Sequence, residues 1–151
     1  MGVSTDAILV YGIDLEATGY CEESEEPEFF EDEDEYDFDA VLMRDAGLAP
    51  WGYHEDEDKR EDYKAYSARR KQAQEQAGVE LITHCSGEYP MYILAIAGTA
   101  KSASRGTALE ITKDDLLMNQ LAGLERLRAF CELHDIPWAE PRWLLCSYWS
   151  Q

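Results

Sequence analysis

Residues 79 to 100 read VELITHCSGEYPMYILAIAGTA, and the reading of this stretch decides the fold. In its second half both alternating sets are apolar: Met91, Ile93 and Ala95 on one side, Tyr92, Leu94 and Ile96 on the other. A strand with that pattern is covered on both faces, so MYILAIA is expected to be a central strand. The turn carrying Gly87 and Pro90 pairs it antiparallel with VELITHC before it.

Outward from this hairpin, further strands are expected at STDAILVYGIDL, where Ile8 to Tyr11 form a short apolar run, and at TALEI (Thr107 to Ile111). The closing RWLLCSYWSQ is apolar on both alternations and reads as a last strand inserted into the sheet. VLMRDAGL, Val41 to Leu48, offers one or two helical turns that Gly47 would stop. A long helix is expected from an N-cap at Asp58, with Glu61 completing a capping box, to Gly78; its thin apolar face is Tyr63, Tyr66, Ala73 and Ala77. A second begins at the cap Thr112 and runs to Asp135 before Pro137, with Leu117, Leu121, Leu124, Leu127 and Cys131 as one buried stripe. The result is an α+β fold: a mixed, mostly antiparallel sheet of about five strands packed with two main helices. With 151 residues it is expected to be a single domain, carrying an acidic insertion at about residues 20–40.

Charge is distributed unevenly along this scaffold. The formal net charge is −19, with 22 Asp/Glu against 3 Lys/Arg in residues 1–63 and 10 against 10 from Lys64 onward. Solubility alone does not require such asymmetry, which points to an acidic interaction surface on a neutral scaffold. The same excess repels nucleic acid and anionic membranes, so direct binding to either is disfavoured. No basic n-region with a long apolar core opens the chain, and no stretch approaches the ~20 apolar residues of a membrane span, so a cytoplasmic location is expected. Asp6 stands where a myristoylation motif wants Ser or Thr, which argues against a lipid anchor at Gly2.

The acidic surface is expected at Glu22, Glu23, Glu25, Glu26, Glu28, Glu31, Asp32, Glu33, Asp34, Glu35, Asp37 and Asp39, extended by Glu55, Asp56, Glu57 and Asp58. A run of like charge is ordinarily solvated and disordered. Here Phe29, Phe30, Tyr36 and Phe38 are interleaved with the carboxylates, and burying one such ring is worth roughly 1.5–3 kcal/mol, so the rings are expected to pin parts of the tract. Fully extended, the tract from Glu22 to Asp39 would span about 60 Å and place its carboxylates on the order of 5 Å apart. That is comparable to the ~3.4 Å charge spacing along one DNA strand, so the tract could occupy a basic nucleic-acid groove.

Other chemistries find less support. An EF-hand loop opening at Asp32 fails, because Tyr36 replaces a ligand, Asp37 stands where Gly is needed and Met43 replaces the bidentate Glu. Cys21, Cys85, Cys131 and Cys146 contain no CxxC pair, which argues against a zinc ribbon or a disulfide framework. His84 and Cys85 are adjacent on a strand and face opposite ways, and neither His54 nor His134 stands in a context that pairs it. GTAKS, Gly98 to Ser102, lacks P-loop spacing. No catalytic group, metal site or cofactor is therefore expected.

The opening GVSTDAILVYGIDLE and the closing IPWAEPRWLLCSYWS resemble small acidic proteins encoded by tailed phages and prophages, whose members also carry an acidic stretch after the first strand. The resemblance covers the terminal thirds of the chain, leaves out the middle, and transfers no site residues. It implies a phage accessory protein in a bacterial host cytoplasm, where inhibition of host defence is a common task. Together with the charge, the expectation is a non-enzymatic inhibitor, such as an anti-CRISPR or anti-restriction protein, whose partner is a basic nucleic-acid-binding host protein. The alternative is a small-molecule or nucleotide-binding module using Lys101, Arg105 and the aromatics of the last strand.

Overall fold

The computed structural model describes residues 4–21, 26–30, 37–49, 62–117 and 121–150. In chain order its elements are β1 (Ser4–Asp14), a 3-10 turn (Glu28–Phe30), α1 (Phe38–Asp45), α2 (Tyr63–Ala77), β2 (Val79–Cys85), β3 (Pro90–Ile96), β4 (Lys101–Ala103), α3 (Lys113–Leu116), α4 (Leu121–Leu133) and β5 (Arg142–Ser150). They belong to an α+β fold with a mixed, mostly antiparallel five-stranded sheet; among the described residues three helices have eight residues or more, α2 and α4 in the regions of the two main helices expected and α1 where one or two helical turns were expected. The chain forms two compact units: one comprises residues 1–28 and 79–151, the other is the continuous stretch Phe29–Gly78.

The first unit is built on the sheet, in the order β3-β2-β5-β1-β4. β5 lies antiparallel along the whole of β1, from Ser4 opposite Ser150 to Gly12 opposite Arg142, as a strand inserted into the sheet should. The other edge of β1 is shared: Ala7 to Leu9 pair with β4, and Gly12 to Asp14 pair with β3. β2 runs antiparallel to β3 over its full length and meets β5 in one parallel bridge, Cys85 to Tyr148, so the ladder returns on itself.

Gly12 makes the β1–β3 closure possible. A Cβ built there would lie 2.4 Å from the Leu94 carbonyl oxygen and 2.8 Å from the Ala95 Cα, both backbone atoms, so only a residue without a side chain fits. Both faces of β3 are buried: on one, Val10, Ile93 and Ala95 are fully buried with Ile8, Ile82, Leu144 and Cys146 packed around them, and on the other Tyr92, Leu94 and Ile96 are buried. Buried Thr99 ties the end of β3 to β1: its hydroxyl donates to the Ile96 carbonyl at 2.7 Å and accepts from the Tyr11 N–H at 3.2 Å.

Three expectations for this unit are corrected. The short strand is β4 at Lys101–Ala103, whereas Thr107 to Ile111 form no strand; Leu109 and Ile111 are exposed, so that run has no apolar face to bury. The second long helix is described in two pieces, α3 and α4, with residues 118–120 outside the described set. Thr112 and Asp115 form the expected N-terminal cap as a capping box, but Leu117 leaves helical geometry at φ −103° and ψ 14° and is 77% exposed. The buried stripe is therefore confined to α4, where Leu127, Phe130 and Cys131 are buried and Gly123 lets the helix approach Ile96 of β3.

The second unit is helical. α1 packs on α2, and Val41, Leu42 and Met43 of α1 are buried, as is Ala73 of α2. Asp37 caps α1 by accepting from the Asp39 N–H at 3.0 Å. Gly47, at φ 70°, ends it, and the Leu48 N–H returns to the Met43 carbonyl at 2.9 Å. The expected start of α2 is also corrected. Its N-cap is Asp62, which is extended at φ −63° and ψ 125° and accepts from the Lys64 N–H at 3.1 Å. Asp58 and Glu61, the expected capping pair, lie outside the described residues. Tyr63 is exposed, so the buried side of α2 is narrower than its sequence predicted.

Candidate functional site

Of the sixteen acidic residues expected to form a surface, Glu26, Glu28, Asp37 and Asp39 are described; Glu22, Glu23, Glu25, Glu31 to Glu35 and Glu55 to Asp58 lie outside the described residues. Pro27, Phe29 and Phe30 are buried while Glu26 and Glu28 are exposed, an arrangement that fits rings holding the tract with carboxylates outward.

Within the helical unit the Phe29 ring lies 5.0 Å from Phe30 and 5.6 Å from Phe38, edge-on to the latter. Such aromatic pairs add about 0.5–1.5 kcal/mol beyond area burial. The Arg44 guanidinium donates to the Phe29 carbonyl at 3.0 Å, tying the 3-10 turn to α1. Asp39 accepts from the Gln74 amide at 2.8 Å and lies 4.0 Å from the Arg70 guanidinium, so this carboxylate is fixed against α2. Burial raises the Tyr66 phenol above its ordinary value, and the neighbouring Asp37 charge raises it further. Asp37 and Asp39 thus have structural duties, whereas Glu26 and Glu28 are the two described members presented to solvent.

The Lys101 ammonium lies 3.6 Å from Asp115, and the Arg105 backbone N–H donates to Asp6 at 3.3 Å. His84 is half-buried and Cys85 exposed, in keeping with strand alternation.

The sheet unit holds a second group of residues that the linear reading missed. A cavity of about 350 Å³ is lined by Gly12, Ile13 and Asp14 of β1, Ala17 and Thr18 of the following turn, Ala139 and Glu140, and Arg142 and Leu144 of β5. The turn that walls it is pinned by one carboxylate: an oxygen of Asp14 accepts from the Glu16 N–H at 3.1 Å and the Ala17 N–H at 3.2 Å. Glu16 accepts from the Tyr92 N–H at 2.8 Å, and burial pushes its carboxyl up to about 7 with Asp14 close by. Burial lowers the His84 imidazole against the opposing Asp14 charge, and burial raises the Cys146 thiol, which the Asp14 charge raises further. A raised thiol is the wrong direction for a nucleophile. Among the described residues no group of three His, Cys, Asp or Glu could hold a metal ion.

The sequence signal that could have located this cavity is Gly12 within an otherwise apolar strand, followed two residues on by Asp14. An interior strand glycine marks a close backbone approach, and the charged residue after it marks where the apolar face ends.

In comparisons with known proteins, no family model matches the chain, and neither does any curated protein or solved structure. The functional reading therefore rests on these residues. No helix among the described residues is long and apolar enough to cross a membrane.

Proposed function

We propose that this protein is a non-enzymatic inhibitor whose acidic surface occupies the nucleic-acid groove of a basic host protein, in the manner of a phage anti-defence protein. The observation that carries the reading is the burial of Phe29 and Phe30 inside the acidic tract, with Glu26 and Glu28 exposed beside them. A turn held by its rings spends less conformational entropy on binding than a free one, so Glu26 and Glu28 are presented preorganised. The concentration of charge in residues 1–63 gives that array its field.

Neutralising Glu31 and Glu33 to Gln, Asp32 and Asp34 to Asn, and Glu35 to Gln together tests the proposal. The variant should melt within a few degrees of the wild type and retain no partner from bacterial lysate at low salt. Retention of the same partners by the variant would refute an electrostatic mode of binding.

A further inference from the structure

Beyond the acidic surface, we propose that the cavity at the ends of β1 and β5 is a binding site for a small zwitterion, a free L-amino acid with a basic side chain. Its lining combines opposite charges in a small space: carboxylates at Asp14 and Glu140 and a guanidinium at Arg142. Register explains the proximity. Arg142 pairs with Gly12, so its side chain leaves β5 opposite a position with no side chain, and Asp14 follows two residues later on the same face of β1. Leu144, also on the face shared with Arg142, contributes an apolar wall and packs against the core.

The charges of Glu140 and Arg142 are unspent. Among the described residues, no hydrogen-bond or ion-pair partner meets the side chains of Glu140 or Arg142. The Asp14 oxygen that accepts two backbone N–H bonds holds the turn in place, which fixes the carboxylate relative to the cavity. A ligand carboxylate suits Arg142, whose planar fork accepts it bidentately, and an ammonium suits the carboxylates. Two carboxylates against one guanidinium leave the lining net negative, which favours a ligand with an additional positive charge. The volume, about 350 Å³, lies at the small end of the ~300–1,000 Å³ typical of ligand pockets and suits an amino acid better than a nucleotide.

The test is a titration of the full-length chain, followed by amide NMR, with L-lysine, L-leucine and L-glutamate, and with N-acetyl-L-lysine and L-lysinamide. The expected result is saturable shifts confined to residues 12–18 and 139–144, tightest for L-lysine and weakest for L-glutamate. N-acetylation and amidation should each weaken binding at least tenfold, because each removes one of the paired charges. Arg142→Gln and Glu140→Gln, both at exposed side chains that the fold does not use, should each weaken L-lysine at least tenfold with an unchanged spectrum elsewhere. Absence of saturable shifts with all three amino acids, N-acetyl-L-lysine binding as tightly as L-lysine, or unaltered affinity in Arg142→Gln would overturn the proposal.

Discussion

The two compact units reach order by different routes. The sheet unit depends on partners distant in sequence: β5 must find β1 across the whole chain, and β1 must leave room at Gly12 for β3. The helical unit depends on near neighbours, with Asp37 and Asp62 capping their own helices and three phenylalanines within ten residues meeting one another. Highly charged sequence suits the second route, because a short helix hairpin with a few anchored rings needs little apolar surface. A sheet covered by residues from both ends of the chain suits the first, since its core faces are apolar throughout. Among the described residues the helical unit accordingly carries Asp37, Asp39 and Asp62 outside its buried core, and Thr99 is the buried polar side chain of the sheet unit.

Substitutions of decreasing severity sharpen that contrast. Phe30→Ala removes a buried anchor, and with ~3–5 kcal/mol typical of such a truncation, amide exchange of Val41 to Met43 should become fast. Unchanged exchange would show that the rings do not hold the helical unit. Gly12→Ala, by contrast, strikes a long-range contact. The added methyl meets rigid backbone, so a loss of about 1–3 kcal/mol is expected in chemical denaturation, and a neutral effect would contradict the β1–β3 closure. Asp62→Ala deletes a local cap and should cost ~1 kcal/mol, visible as fraying of the first turn of α2.

The smallest effect is a pH dependence in the sheet unit. Glu16 has its carboxyl raised from 4.5 to about 7, so the folded protein holds a proton there that the unfolded chain has released. The associated stability is fully present below 4.5 and is lost as pH rises through about 7. His84, lowered by burial, acts in the opposite sense as pH falls, so the effect is read as a difference. Glu16→Gln keeps an acceptor for the Tyr92 N–H, and relative to this variant the wild-type Tm should decline between pH 5 and pH 8. Parallel Tm profiles would show that Glu16 is not buried as described.

How much of this was legible in the sequence follows from the range of the interactions involved. Both alternations of MYILAIA are apolar, so its central place could be read directly, as could the insertion of β5. Asp58 with Glu61 makes as good a local capping signature as Asp62, and only the structure separates them. β4 is three residues long and contains Lys101 and Ser102, so no pattern announced it, while Thr107 to Ile111 had the pattern without a partner. The Leu117 stripe failed because spacing records which residues share a face only while the helix continues. The cavity was illegible for a simpler reason: Asp14 lies more than a hundred residues from Glu140 and Arg142 and meets them only through the β1–β5 register.

The proposed inhibitor competes with nucleic acid for a basic groove. The most direct measurement is capture of partners from bacterial lysate on the immobilised full-length chain at low salt, followed by elution with an excess of duplex DNA and, separately, of RNA. Nucleic-acid-binding proteins should be retained, one of the two polymers should release them, and raising the salt should do the same. Partners that resist both nucleic acids and salt, or retention that survives neutralisation of Glu31 to Glu35, would contradict it.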